Sequence, residues 1–556
     1  MELPVLVLDA QATAASPSRG ALLEIGWARW PAGDAPEPTA AVVSAHVVAP
    51  PPGLALPPAV ARVTGLGPSE WARGIDPGAA WEHLREAARR VAPEPVPVVV
   101  HFARFEEGFL RALHERHGAG RFPFRLVCTH AIACRLLPEL PRRTLRALAG
   151  YFGAGVSPLR RSADHVIATA FVWRHLAALL AEREGIAGLD ALGEWLARPA
   201  PRSPRLFPLP LERRRQLPDR PGVYRFLRAG GAVLYVGKAA SLRQRVRGHF
   251  HAPGGERALE MLTQVRDVSW SETETALEAA LLEADEIKGL APPYNVALVE
   301  AGRSVGFATT ELEDLRERPD ADHTVGPLVS PALVEAFLAV RSVLVDGPSR
   351  LPSLARRSCA VGAPPAYGPR PECFADGVES FVREHGSGAS TRGLLRLGAR
   401  LWVEAATGPR DGDSPEQPPG GRGPDWDAER VRRAMEQSVA RAAHAVRRAR
   451  WLVRLGECSL AWAEAGATER RLLVIEGGTV AARAHLPPGL GVPVPPGHAR
   501  TAAERRAAFD LAAFDRLRVL TTELRALAAG TGTVELRLGP TTRLSRERLR
   551  AVLRWV

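Results

Sequence analysis

The sequence predicts a multidomain α/β protein, and three observations carry that reading. The chain has 556 residues, too many for a single hydrophobic core. Strand-like runs ("PVLVLDA", "ALLEIGWARW", "VPVVVH") alternate with helical stretches around 104–117 and 164–184, the pattern of a layered α/β domain. Further along, residues 219–298 read as two strands joined by "RAGG" and followed by two helices.

Composition narrows the class. At 46% hydrophobic and 24% charged residues the chain is globular, not disordered. No apolar run is long enough to span a bilayer, and "MELPVLVLDAQAT" lacks a basic n-region, so neither a membrane segment nor a signal peptide is expected. The five cysteines (128, 134, 359, 373 and 458) are odd in number and never spaced CxxC. They point to the cytoplasm and away from a disulfide framework or zinc site. A formal charge of +12 and a pI near 10.3 suit a polyanionic partner.

Taken in order, residues 1–198 form the first α/β domain. The linker 199–218, "RPAPRSPRLFPLPLERRRQLP" and its flanks, is too proline-dense for a regular element. In 219–298, "GVYRFL" and "AVLYVG" are the strands, and Ser241 caps the helix "LRQRVRGHF". Ser271 with Glu274 is read as a capping box for the helix through "ALEAALLEADEIKGL", which stops before Pro292 and Pro293. Residues 299–406 are mixed, and 407–427 is a flexible Pro/Gly/Asp linker. Residues 428–556 join a basic helix to a small α+β region whose hairpin turns at Gly477 and Gly478. That basic helix is read either as a phosphate-contacting surface, with Trp451 and Trp462 as stacking groups, or as a solvated face above an apolar stripe.

Three rare residues single out one segment. Lysine occurs only at 238 and 288 and asparagine only at 295, although Lys and Arg together number 73, leaving 73 − 2 = 71 arginines. A lysine is a compact point charge that planar guanidinium does not replace. Around these residues lie Tyr224 and Tyr235 on adjacent strands, then Arg243, Arg245, Arg247 and His249 on the first helix. Positions 245 and 249 share a helical face. Glu283 lies within the second helix, and Tyr294 and Asn295 close the unit. These are the parts of a phosphodiester hydrolase. A glutamate holds a divalent metal through oxygen, arginine clamps phosphate, and a tyrosine serves as base where cations favour the phenolate.

"GVY" at 222–224 and "YVG" at 235–237 resemble the two halves of the GIY-YIG nuclease motif. "YVGKAASLRQRV" and "TETALEAALLEADEIKGLAPPYNV" are similar to the N-terminal nuclease of the UvrC-type excinuclease family. The resemblance implies that Tyr224 and Tyr235 are the motif tyrosines, Lys238 the motif lysine and Arg245 the catalytic arginine. Glu283 would ligate one Mg²⁺ or Mn²⁺, Asn295 would end the core, and His249 would stand where some members carry tyrosine. Which tyrosine is the base stays open. Arg243, Arg247 and Lys288 are expected to contact DNA.

"VLVLDAQATAASPSRGALLEIGWARW", with "RVTGL", "VVVHFARFEEGFL" and "RRSADHVIATAFV", resembles the RNase H-like DEDD exonuclease fold of DNA polymerase III epsilon subunits. Active members hold two metals with four carboxylates and use a histidine to prepare water. Here Asp9 is kept, but Gln11 and Glu106 stand at the next two acidic positions, and Phe102 replaces an asparagine. Arg160 occupies the histidine position and His165 that of the last aspartate; Asp164 substitutes only by a one-residue slip. A neutral amide and a guanidinium oppose two-metal binding. The domain is therefore read as a degenerate exonuclease kept for structure or docking, with Arg160, Arg161 and His165 facing phosphate.

"TVGPLVSPALVEAFLAVRSVL" is similar to the segment after the nuclease in UvrC-type proteins. The implied function is Mg²⁺-dependent nicking of DNA in nucleotide-excision repair, alongside damage-recognition proteins. The alternatives are a non-catalytic nucleic-acid scaffold, an active epsilon-like exonuclease, and ribonuclease or homing-type cleavage. No helix-turn-helix or zinc finger is legible, so sequence-specific reading is not expected.

Overall fold

The computed structural model describes residues 4–30, 39, 42–155, 159–199, 201, 203–298, 303–346, 371–407, 427–463 and 466–556. The expected linker at 407–427 lies outside them except for its two end residues, and Cys359 lies outside them as well. The chain forms two compact units, Met1–Ala279 with Pro292–Asn295, and Ala280–Ala291 with Val296–Val556.

The first unit opens with β1 (Val5–Ala12), β2 (Leu22–Trp30), β3 (Ser44–Val47), β4 (Val96–Val100) and β5 (Phe124–Cys128), ordered β3-β2-β1-β4-β5. β1 pairs antiparallel with β2 and parallel with β4. Val5 and Val7 pack on one face with Trp173 and Leu176, whereas Leu6 and Leu8 pack on the other with Trp81 and Leu84. A strand buried on both faces reads as the continuous apolar run seen at its start. Helix Ser162–Glu184 crosses β1 and β2 closely: a Cβ at Gly26 would come within 2.7 Å of Ser162 Oγ. Gly26 is the register partner of Asp9, so this approach brings the first turn of that helix to Asp9.

The same unit contains β6 (Gly222–Leu227), β7 (Val233–Ala239) and β8 (Asp267–Glu272), an antiparallel sheet ordered β7-β6-β8. Gly230 and Gly231 take φ of 84° and 83° in the turn between β6 and β7, where a side chain would be strained. Two local expectations are corrected. Ser271 lies inside β8, because pairing with β6 outweighs its capping propensity. The helix instead starts at Ala276, with Thr275 Oγ1 accepting from Glu278 N at 3.3 Å and Glu278 Oε2 from Thr275 N at 3.2 Å. The proline-rich segment before the sheet forms helix Leu211–Arg215 and buries Leu209 and Leu217 in the core with Tyr224 and Phe226.

Within this unit, helix Leu145–Phe152 packs on helix Glu256–Gln264. Thr144 Oγ1 donates to Glu260 Oε2 at 3.0 Å, and Arg142 N donates to Thr263 Oγ1 at 3.1 Å. Arg266 Nη2 reaches Tyr151 O at 3.1 Å while its guanidinium lies 4.1 Å above the Tyr151 ring. Gly150 makes the approach possible, because a Cβ there would sit 1.8 Å from Gln264 Oε1.

After Ala280–Ala291, the second unit continues with β9 (Gly306–Ala308), β10 (Leu315–Arg316) and β11 (Val325–Leu328), then helices Pro331–Asp346, Pro371–His385, Thr391–Thr407 and Ala428–Leu455. The long last helix buries Val431, Met435, Val439 and Val446 against Phe337, Phe381, Leu394 and Leu397. It leads into β12 (Cys458–Ala463), β13 (Arg470–Glu476), β14 (Thr479–Leu486), β15 (Thr533–Arg537) and β16 (Arg543–Ser545), ordered β14-β13-β12-β15-β16. Gly477 and Gly478 turn the β13–β14 hairpin at φ of 56° and 75°. Trp451 and Trp462 are each 4% exposed, and Trp451 Nε1 donates to Thr521 Oγ1 at 3.0 Å. Both rings are core groups and stack no base, which corrects that expectation. No helix among the described residues is long and apolar enough to cross a membrane.

Candidate active site

The hairpin and the helix after it bring two tyrosines and a histidine together. Register pairs Tyr224 with Gly237 and Phe226 with Tyr235. Ser241 Oγ accepts from Gln244 N at 3.2 Å and starts helix Leu242–His251, which brings His249 back over the sheet. Tyr224 is fully buried, and its Oη lies 2.6 Å from His249 Nε2. Ring centroids are 5.7 Å apart for Tyr224 and His249, 5.9 Å for Tyr235 and His249, and 6.1 Å for the two tyrosines. A Cβ at Gly237 would fall 2.5 Å from Tyr224 Oη, so glycine there is what gives the phenol room.

Burial, and after it the Arg245 guanidinium, lower the His249 pKa to about 4. The ring is therefore neutral at physiological pH, and in the tautomer protonated at Nδ1 its Nε2 accepts a hydrogen bond from the phenol. Lys238 is half-buried at the end of β7, while Arg245 and Arg247 are exposed on the helix. Arg243 is also exposed, but its Nε donates to Leu217 O at 2.8 Å, which fixes the preceding segment. Asn295 is half-buried and holds strand β7 by its backbone. Glu283 is half-buried within helix Ala276–Leu290. Its carboxylate is the hard oxygen donor that Mg²⁺ or Mn²⁺ favours, so the residue fits such an ion.

Lys288, expected to face DNA, does not. Its Nζ lies 2.8 Å from Asp515, with the lysine side chain 10% and the aspartate 1% exposed, and Arg303 binds the same carboxylate at 2.7 Å. Burying Asp515 demands paired cations, which explains one retained lysine structurally.

The exonuclease-like part brings Asp9, Glu106 and His165 together. His165 Nδ1 lies 3.3 Å from Asp9 Oδ1. Burial opposes charge on His165, but the Asp9 carboxylate raises its pKa above the ordinary value. Burial first, then the Asp9 charge, pushes Glu106 up to about 9, so it is protonated at neutral pH. Gln11 Nε2 donates to Arg160 O at 2.8 Å, and the Arg160 side chain is exposed. Arg161 is not available to phosphate: it pairs with buried Glu24 at 2.7 Å and with Glu70 at 3.0 Å. Glu24 also accepts from Ser162 N at 2.8 Å. Sequence reading missed Glu24, whose only local signal is an acid inside an apolar strand.

The family model of the UvrC-like GIY-YIG domain matches residues 220–296. A Mycobacterium tuberculosis (strain CDC 1551 / Oshkosh) protein described as a bifunctional exonuclease/endonuclease is 32% identical over 252 residues, 44% of this chain and 37% of that protein. UvrABC system protein C of Neisseria gonorrhoeae (strain ATCC 700825 / FA 1090) is 46% identical over 99 residues, 17% of this chain and 15% of that protein. The magnesium-bound GIY-YIG N-terminal endonuclease domain of UvrC from Thermotoga maritima is 32% identical, covering 15% of this chain and 93% of that one, with a TM-score of 0.15. The matches thus span less than two-fifths of either curated relative. Residues 220–296 are a UvrC-like GIY-YIG domain, carried in one chain with an exonuclease-like domain.

Proposed function

We propose that this chain is a divalent-metal-dependent endonuclease that nicks DNA in excision repair, with residues 220–296 as its working part. The observation that carries the reading is the 2.6 Å contact between Tyr224 Oη and His249 Nε2, for which Gly237 leaves room. Neutral His249 accepts a hydrogen bond from Tyr224 and orients it, and one of the two tyrosines, Tyr224 or the more accessible Tyr235, takes a proton from the attacking water. Arg245, one turn before His249, clamps the phosphate, and Lys238 adds a point charge. Tyr235 is half-buried beside the same histidine. Glu283 would hold one Mg²⁺ or Mn²⁺, which when bound supplies Lewis-acid polarisation of a phosphate oxygen.

The exonuclease-like domain acts in this reading as a docking body without exonuclease activity. A histidine paired with Asp9 where a carboxylate would be needed, and a protonated Glu106, support that, because two-metal catalysis needs clustered carboxylates. The proposed partners are DNA and damage-recognition proteins, and the proposed compartment is the cytoplasm. Free thiols at Cys128, Cys134, Cys373 and Cys458 fit a reducing setting.

The test is nicking of supercoiled and lesion-bearing plasmid with Mg²⁺ by wild type, Glu283→Gln and Asp9→Asn. The reading expects activity in wild type and Asp9→Asn and none in Glu283→Gln. Full activity in Glu283→Gln would refute the site assignment.

A further inference from the structure

Helix Thr391–Thr407 has two unlike faces. Its inner face buries Leu394, Leu397 and Ala399. Gly398 lies so close to helix Ala428–Leu455 that a Cβ would come 2.2 Å from Val439 O. Trp402 is stacked on His444 at 3.9 Å between centroids, so it is occupied within the same packing. The outer face carries Arg392, Arg396 and Arg400, all exposed and spaced four residues apart, with the exposed Glu404 closing the series. That spacing sets them in a row at steps of about 6 Å along the helix.

No acid among the described residues pairs with any of the three. At one end of helix Ala428–Leu455, by contrast, Arg432 binds Glu429 and Glu436 at 2.7 Å each, and Arg433 binds Glu429 at 2.8 Å. Like charges at four-residue spacing oppose helix formation, so Arg392 and Arg396, and Arg396 and Arg400, repel along the helix.

We propose that Arg392, Arg396 and Arg400 form a binding row for the phosphate backbone of duplex DNA, a second contact surface outside the GIY-YIG domain. The proposal rests on the reading of DNA as substrate. Three guanidiniums spanning about 12 Å match the reach of consecutive phosphates on one strand, and each can clamp a phosphate in bidentate fashion. The chemistry of the face selects among polyanions. None of the exposed large apolar side chains belongs to this helix, so it offers no anchor for a bilayer. It presents no exposed aromatic ring on which unpaired bases could stack. It has no Asn or Gln to read base edges, so the contact is independent of sequence.

The experiment measures affinity of the full chain for a labelled 30-base-pair duplex against NaCl concentration, without divalent metal. It compares wild type with the triple variants Arg392→Gln/Arg396→Gln/Arg400→Gln and Arg392→Lys/Arg396→Lys/Arg400→Lys. The glutamine variant is expected to lose about 2 to 3 units of the log–log salt slope and at least roughly tenfold in affinity at 0.1 M salt. The lysine variant keeps the slope, because an ammonium also neutralises a phosphate. An unchanged slope in the glutamine variant overturns the proposal, as does an equal loss in the lysine variant, which would mark a structural defect. Plasmid nicking is read separately: a wild type that binds duplex with this slope and never nicks defeats the nuclease reading while leaving the row intact.

Discussion

Asn295 holds Val236 by both of its backbone groups, accepting from Val236 N at 3.0 Å and donating to Val236 O at 2.9 Å. β7 is the outer strand of its sheet, so these groups would otherwise form an unpaired edge. Tyr294 N extends the pairing to Leu234 O at 3.1 Å. The only asparagine in the chain thus acts as a one-residue strand pinned beside Tyr235, Gly237 and Lys238. Asn295→Ala is expected to destabilise the fold by about 1–3 kcal/mol and to lower the nicking rate by loosening β7. Urea unfolding and single-turnover nicking check both effects, and wild-type values in both would show that the edge needs no pin.

The Tyr224–His249 pair makes a prediction about pH. An ordinary histidine titrates near 6.5 and would switch off a base within the physiological range. Here the pKa is lowered to about 4, so the neutral, proton-accepting form persists through weakly acidic solution. The acid limb of the nicking profile assigned to His249 should therefore lie near pH 4 to 5, not near 6.5. Tyr224→Phe removes the shared proton and should lower the rate roughly 10²- to 10⁴-fold while leaving DNA affinity unchanged. A Tyr224→Phe protein that nicks at the wild-type rate would move the base to Tyr235.

How much of this was legible depended on how local the cause was. The Gly-Gly hairpins, the Ser241 cap and the GIY-YIG spacing each follow from neighbours in sequence, and each stands in the structure. The role of Lys288 did not, because its partner Asp515 lies in a distant helix that gives no sign of being buried. Trp451 looked available from an arginine-rich sequence, yet it faces the stripe of the helix that packs inward. Strand β8 was hidden because "DVSWSE" has weak alternation and is fixed by pairing with β6. In the exonuclease-like part the loss of acidic residues was readable, but the capture of Arg161 by Glu24 was not. That ion pair joins residues on a strand and a helix far apart in the chain.

Gly150 offers a test of the packing between the two parts of the first unit. Gln264 cannot simply swing away from an added methyl group, since it is fully buried and its Nε2 bonds Glu260 O at 3.1 Å and also meets Tyr294 Oη. Tyr294 in turn donates to Glu260 Oε1 at 2.9 Å and precedes Asn295 in the chain. Gly150→Ala is therefore expected to cost about 1–3 kcal/mol by overpacking and to reduce nicking through the Tyr294–Asn295 segment. Differential scanning calorimetry and nicking assays check this. A variant with a lowered Tm and full nicking would separate the docking contact from the nuclease pocket.

Glu106 predicts a stability change of unusual sign. Its pKa rises from an ordinary carboxylate value to about 9 in the folded chain, so between about pH 5 and 9 the folded state binds the proton that the unfolded state has released. Stability contributed by this group is complete below the unfolded pKa and is lost as pH rises toward the folded one. Glu106→Gln keeps the neutral, hydrogen-bonding shape without the proton, and so should flatten that decline. Its Tm should match wild type near pH 5 and exceed it by a few degrees near pH 8 to 9. The buried, unpartnered Oε2 of Glu106 is the structural reason, because a charge there would have no compensating donor. Thermal unfolding of both proteins across pH 5 to 9 decides the matter, and parallel curves would show that Glu106 ionises normally beside Asp9.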